Sequence, residues 1–193
     1  MTKLMIKARA THHLRGAAAE LQPAPRWVEL AAKAAALTAV PSGVWRTVFG
    51  FGVPVGFSGA TFDAYAEHQP GWGTVYCVVL SALAETLAFL TIGLVRPWGQ
   101  VVPRWIPVLG GRRVRPLAAI VPALGGSVIL TALGMLALCG GWAHNMAEPD
   151  SPHGLGGVVM TLAYLPLVLW GPLLGIVAID YARRTRRTRL QQR

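Results

Sequence analysis

The sequence predicts an all-α membrane protein, a four-transmembrane-helix bundle with both termini in the cytoplasm. Three observations predict it. Hydrophobic residues make up 53% of the chain and charged residues 13%, whereas soluble domains carry about 25% charged residues. The apolar residues are gathered in long runs of the length that a bilayer requires. Arginine and lysine lie beside these runs, and only on alternate connections.

Four apolar stretches are long enough to cross a hydrocarbon core of about 30 Å. The first is the weakest, because it is rich in alanine and contains Lys33, Pro41 and Arg46. Pro41 predicts a kink within it. The second carries one charge, Glu85, and the third carries none. The predicted spans are residues 30–57, 74–95, 117–138 and 158–179.

The distribution of lysine and arginine predicts the orientation. Five lie in a basic arm, residues 1–29, five in the connection between the second and third spans, and six in the tail, residues 182–193. The two opposite connections contain none. The positive-inside rule then predicts a multi-pass protein of the cell membrane with both termini cytoplasmic. A net charge of +10 beside apolar spans favours membrane lipids as partners and argues against nucleic acid.

Two charges inside predicted spans are the first candidates for chemistry. Arg46 shares a helical face with small and hydroxyl residues, and Glu85 shares one with Cys77 and Ser81. A charge at the bilayer centre costs at least about 2.5–3.5 kcal/mol. We therefore expect Arg46 and Glu85 to pair between adjacent antiparallel helices. The pair is either a structural ion pair or a catalytic site in which Glu85 exchanges a proton.

Asp180, at the inner end of the fourth span, is the third candidate catalytic residue. Its alternative role is a local ion pair with Arg183 or Arg184. The predicted outer connections hold histidines and acids without the spacing of a metal site, so we expect no metal and no cofactor. Cys77 and Cys139 are both predicted near the outer face, where a disulfide and two free thiols are both open.

Small residues recur at helical spacing in the last two spans. Ala123, Ser127 and Thr131 follow one another every four residues, and Gly171 and Gly175 form a GxxxG pair. Stripes of this kind allow two helices to approach closely. We expect them to form packing faces, and the glycine pair also allows self-association or contact with other membrane proteins.

The connection between the second and third spans contains three motifs. They are VRPWG at residues 95–99, PRWIP at 103–107 and GGRRVRP at 110–116. Together with Glu85, Pro122 and the arginine-rich tail, they resemble a family of small four-helix actinomycete integral membrane proteins. The resemblance covers roughly residues 27–187. It implies the four-helix architecture and carries no known activity.

Three functions follow from these features. We predict first an accessory or interaction subunit, because the sequence shows no cofactor motif and no nucleophile–base constellation. The alternative is a membrane-embedded enzyme that acts on an isoprenoid or lipid by acid–base chemistry at Glu85. A looser similarity to membrane-embedded terpene cyclases implies such proton-donating roles for Glu85 and Asp180, although this chain has fewer spans. The third is a small proton-coupled carrier that uses Arg46 and Glu85.

Overall fold

The computed structural model describes residues 22–100, 111 and 114–191, and this part of the chain is helical without strands. Three helical runs in it are long and apolar enough to cross a membrane: Trp72–Gly93, Pro116–Ala147 and Gly154–Gln191. The α-helices are α1 (Arg26–Thr38), α2 (Val40–Gly50), α3 (Gly59–Ala66), α4 (Trp72–Gly93), α5 (Pro116–Leu136), α6 (Trp142–Ala147), α7 (Gly154–Tyr164) and α8 (Leu167–Gln191).

The first predicted span consists of two helices, α1 and α2, which are separated at Ala39. Pro41 lies in the first turn of α2. It has no N–H to donate to a carbonyl of the preceding turn, so the helix is interrupted just before it. The kink predicted from Pro41 is therefore confirmed, with the break two residues earlier. Ala32 and Ala35 of α1 are fully buried.

The long helices lie in the order α5, α8, α1, α4. The most extensive contact joins α5 to α8, while α1 packs between α8 and α4. In addition, α2 packs on α4 and reaches α7. The second predicted span, residues 74–95, corresponds to α4 within two residues at each end. Cys77 and Ser81, predicted to share one face of this helix, are buried, and so is Ala88.

The last two spans are helical beyond their predicted limits. A π-helical segment, Ala137–Gly141, and then α6 continue α5 into the predicted outer connection, with a kink where Gly140 has a φ of 106°. The fourth span is divided between α7 and α8, which meet at Leu165 and Pro166. The other connection that is predicted to be outside the membrane contains α3. The absence of lysine and arginine from this connection predicted the side of the membrane that it faces, but it did not predict a helix there.

The predicted basic tail begins inside α8, which continues to Gln191. Arg184 and Thr185, in the first part of this segment, are buried. Most of the predicted basic arm, residues 1–21, lies outside the described residues. The PRWIP motif, residues 103–107, also lies outside them.

Candidate functional site

The candidate site is built on the contact between α2 and α4. Gly50 faces Cys77, and a Cβ at Gly50 would lie 2.7 Å from the Cβ of Cys77. Hydroxyl groups of α4 bond to the backbone of α2. Thr74 Oγ1 donates to the carbonyl of Gly50 at 2.5 Å, and Ser81 Oγ donates to the carbonyl of Gly43 at 3.3 Å. The absence of side chains at the two glycines therefore sets the distance between the helices.

Glu85 lies one turn after Ser81 and packs against Gly43. A Cβ at Gly43 would lie 2.7 Å from Oε1 of Glu85, so a larger residue would displace the carboxylate. Glu85 lines a groove of about 510 Å³ between α2 and α4. The other residues along this groove are mostly aliphatic: Val40, Val44, Thr47, Val48, Val78 and Ala82, with Gly43 and Ser81 at its floor.

Within the described part of the chain, the carboxylate of Glu85 makes no ion pair. The outward side chains of the groove are apolar, and Val44 is 58% exposed. The α4 side of the groove belongs to a helical run long and apolar enough to cross a membrane, and in hydrocarbon an ionised carboxylate is costly. Glu85 is thus an acid at an open, otherwise apolar surface.

Arg46 does not form the ion pair with Glu85 that was expected from the sequence. No ion pair within 4.0 Å involves Arg46 in the residues that the structure describes. Its guanidinium carbon lies 5.8 Å from the ring centre of Tyr164 on α7, a cation–π contact. Its Nε is buried and has no hydrogen-bond partner in that part of the chain.

Helix geometry explains this correction. Gly43 marks the position of α2 that faces Glu85, and Arg46 follows three residues later. Three residues rotate a helix by roughly 300°, which leaves Arg46 about 60° around α2 from Gly43. It lies on the side away from the groove residues Val44 and Thr47 and contacts Tyr164 of α7 instead. The sequence pattern had placed both charges on contacting helices, but it could not show which neighbour the flexible arginine would select.

An aromatic cluster surrounds Arg46 and joins α2, α3 and α7. Trp45 stacks on Phe49 with ring centres 5.7 Å apart, and it meets Tyr164 edge-on at 5.7 Å. Phe57 contacts Phe49 at 5.0 Å and Tyr65 at 5.6 Å. Contacts of this kind contribute about 0.5–1.5 kcal/mol each beyond burial. They fix the C-terminal end of α2 and, with it, one wall of the groove.

Asp180 forms the local ion pair that was predicted as the alternative to a catalytic role. Arg184 Nε donates to Asp180 Oδ2 at 2.6 Å. The same guanidinium donates to the carbonyls of Gln22 at 3.2 Å and Leu94 at 3.0 Å. Leu94 follows directly after α4, and the last carbonyls of a helix lack partners within it. Arg184 therefore joins α8, the end of α4 and the segment before α1.

The thiols and the loop acids form no further site in the described residues. Cys77 and Cys139 are both free, the first buried and the second exposed. No three His, Cys, Asp or Glu side chains come together there as metal ligands would. His144 and Glu148 lie 3.6 Å apart on an exposed surface.

Sequence reasoning missed the roles of Gly43 and Tyr164. Gly43 and Gly50 are seven residues apart, which is two helical turns, and this spacing was an available signal for a close helix contact. Tyr164 gave no signal, because its contact with Arg46 depends on tertiary structure. Comparison of the chain with protein-family models, with curated proteins and with solved structures finds no match.

Proposed function

We propose that this chain is a four-span cell-membrane protein that acts as an interaction subunit, with the groove beside Glu85 as the docking site for a partner's transmembrane helix. The α1–α2 pair is the fourth span of this proposal. Residues 26–50 at about 1.5 Å per residue reach about 37 Å, enough for a core of about 30 Å. Large apolar side chains point outward from them, with Leu30 and Leu37 each 65% exposed, and Lys33 is an exposed charge on α1 that can extend its amino group toward the headgroups.

The charge distribution supports cytoplasmic termini. The hydrogen bond from Arg184 to the carbonyl of Leu94 holds the arginine-rich end of α8 beside the end of α4. Arg96 follows that end, and Arg115 directly precedes α5. The opposite connections have no lysine or arginine. Under the positive-inside rule, the arginine-bearing end faces the cytoplasm.

The carboxylate of Glu85, which has no ion-pair partner among the described residues, is the observation that carries the docking proposal. A carboxylate in hydrocarbon requires a cation or hydrogen-bond donors. A helix seated between α2 and α4 would fill the groove, and a lysine, arginine or hydroxyl on it would pair with Glu85. A symmetric second copy fits less well, because a two-fold contact would bring two carboxylates together.

One feature of the groove also favours the enzyme alternative. The groove opens sideways, so an apolar substrate could enter from the bilayer and meet Glu85 as an acid. Its volume of about 510 Å³ is within the range of about 300–1,000 Å³ usual for small-molecule pockets. The experiment must therefore distinguish a protein in the groove from a lipid.

Photocrosslinking in the native membrane makes this distinction. Benzoylphenylalanine replaces Val44 in the groove or, as the matched control, Val128 on α5, which is 69% exposed and outside the groove. We expect Val44 to give a discrete adduct with another protein and Val128 to give none. Glu85→Leu should abolish the adduct, and Glu85→Gln should weaken it roughly tenfold, the equivalent of about 1.4 kcal/mol.

Three results would reject the docking proposal. An adduct at Val44 that persists unchanged in Glu85→Leu would show that the carboxylate does not recognise the partner. Adducts with lipid alone would favour the enzyme alternative. An adduct between two copies of this chain would show that a second copy, and not a different protein, occupies the groove.

A further inference from the structure

A second cavity lies between α4 and α5, on the other side of α4 from the Glu85 groove. It has a volume of about 500 Å³ and is lined almost entirely by apolar side chains. Gly126, Ala119 and Ala123 leave space on its α5 side, and Leu174 of α8 forms part of its floor. The cleft exists because α5 packs on α8 and α4 packs on α1. This leaves a gap between α4 and α5, which lie at the two ends of the row of helices.

Thr91 supplies an unused polar group on the wall of this cleft. It is 2% exposed, and its hydroxyl has no hydrogen-bond partner among the described residues. Hydroxyls of other helical threonines, such as Thr47 and Thr86, donate to the carbonyl one turn earlier. Leaving a buried hydroxyl unsatisfied is energetically unfavourable, so a ligand that accepts this hydrogen bond would be favoured.

The depth of Thr91 indicates which part of a ligand meets it. Thr91 lies two residues before the end of α4, which is about 3 Å along the helix axis. Deeper in the cleft lies Trp170, whose buried Nε1 also lacks a partner in the described part of the chain. The polar wall is thus near one membrane surface, while the rest of the cleft continues into the apolar region.

The mouth of the cleft carries positive charge. Arg96 follows the lining residue Leu94, and its side chain is 44% exposed even though it lies 3.5 Å from Glu29. Arg115 is exposed at the N-terminal end of α5, just before the lining residue Ala118. The free N–H groups at the start of α5 add to the attraction for an anion.

We propose that this cleft binds one anionic phospholipid from the leaflet at the arginine-bearing end of the protein. The acyl chain lies along Gly126 toward Trp170, an ester carbonyl accepts a hydrogen bond from Thr91, and the phosphate lies near Arg96 and Arg115. Each polar group of the lipid then meets a complementary group at its own depth. This site is separate from the Glu85 groove and does not depend on a partner protein.

Native mass spectrometry of the purified full chain with dioleoyl phosphatidylglycerol or dioleoyl phosphatidylcholine tests the proposal. We expect one phosphatidylglycerol to be retained about tenfold more tightly than phosphatidylcholine. Gly126→Leu fills the cleft, since a Cβ at Gly126 would have its nearest neighbour, Leu174, at 3.8 Å, and it should weaken retention roughly tenfold. Gly125→Leu, a neighbour with nothing within 4 Å and outside the cleft lining, is the matched control and should retain lipid normally.

Thr91→Val keeps the shape of the side chain and removes its hydroxyl. It should weaken retention about fivefold without lowering the melting temperature, because the variant removes an unpaired buried hydroxyl, and this separates lipid binding from folding. Equal retention of the two lipids, or equal effects of leucine at positions 125 and 126, would overturn the proposal. Failure of the unaltered chain to retain any lipid would also overturn it and would indicate that another part of the chain fills the cleft.

Discussion

Single charged residues in this protein are accommodated in two different ways. Arg184 is 6% exposed and donates hydrogen bonds to one carboxylate and two backbone carbonyls. Arg46 and Glu85, in contrast, lack ion-pair partners within the described residues. A satisfied buried cation stabilises a fold, because every donor that leaves water is paired again. A charge without a partner gains the most free energy when a ligand or another protein supplies one.

Arg184→Met should be among the most destabilising single changes in the described part of the chain. It leaves Asp180 and the carbonyl of Leu94 without their donor, and breaking a buried ion pair costs about 3–5 kcal/mol. The free energy of unfolding in detergent micelles measures this loss. Arg183→Met is the control, because Arg183 is exposed on the same turn. Equal losses for the two variants would show that the hydrogen bonds of Arg184 contribute little.

Local pairs could be predicted from spacing, whereas distant ones could not. Asp180 and Arg184 are one turn apart, so their contact follows from helix geometry alone. The bonds from Arg184 to Gln22 and Leu94 join positions 162 and 90 residues apart. They depend on how α8, α4 and α1 pack, which no local pattern records. The same limit explains why Arg46 contacts Tyr164 rather than its predicted partner.

At the scale of elements, the crossing of α5 and α8 shows how small residues determine a contact. Ser127 Oγ donates to the carbonyl of Gly171 at 2.8 Å. A Cβ at Gly175 would lie 2.6 Å from the same Oγ of Ser127. A Cβ at Gly171 would overlap the backbone of Thr131. The two stripes predicted as packing faces therefore pack on each other. Within the chain, α5 therefore covers the face that carries Gly171 and Gly175.

Alanine substitutions can test this crossing. Gly171→Ala places a methyl group against backbone that cannot rotate away, so we expect a loss of about 1–3 kcal/mol in the free energy of unfolding. Gly125→Ala, on the open side of α5, should be neutral or stabilising by up to about 1 kcal/mol. Thermal unfolding of both variants in the same detergent measures the difference. A neutral Gly171→Ala would contradict the close contact.

Element boundaries were harder to predict than element existence, and the prolines show why. Pro122 and Pro172 lie inside α5 and α8 without ending them. Pro41, in contrast, lies two residues after the break at Ala39, and Pro166 lies within the break between α7 and α8. In a membrane, neighbouring helices and local adjustments can satisfy the carbonyl that a proline leaves free. The outcome therefore depends on packing around each proline, which the sequence pattern does not contain.

At the scale of the whole molecule, the bilayer makes the class of this protein predictable. Hydrocarbon permits only helices or closed barrels, so long apolar runs had few alternatives. The three strongest runs are helices of spanning length. The arrangement α5, α8, α1, α4 was not predictable, because no local sequence pattern indicates which of these helices contact one another. That arrangement creates both the groove and the cleft, and neither could have been inferred before the helices were placed.

The proposed orientation can be tested with single cysteines in a background lacking Cys77 and Cys139. Asp63→Cys reports on α3 and Arg187→Cys on the end of α8, and both positions are exposed. If arginine retention fixes the topology, a membrane-impermeant maleimide should label Asp63→Cys in intact cells. It should label Arg187→Cys only after the membrane is opened.

The two positions also test the number of spans. Asp63 precedes α4, and three helical runs of spanning length separate it from Arg187. Three crossings place the two cysteines on opposite sides, whatever the role of α1 and α2. A further cysteine at Thr2, before α1, then decides the fourth span. Labelling of Thr2→Cys only in opened cells means that α1 and α2 cross the membrane, whereas labelling in intact cells together with Asp63→Cys means that they do not.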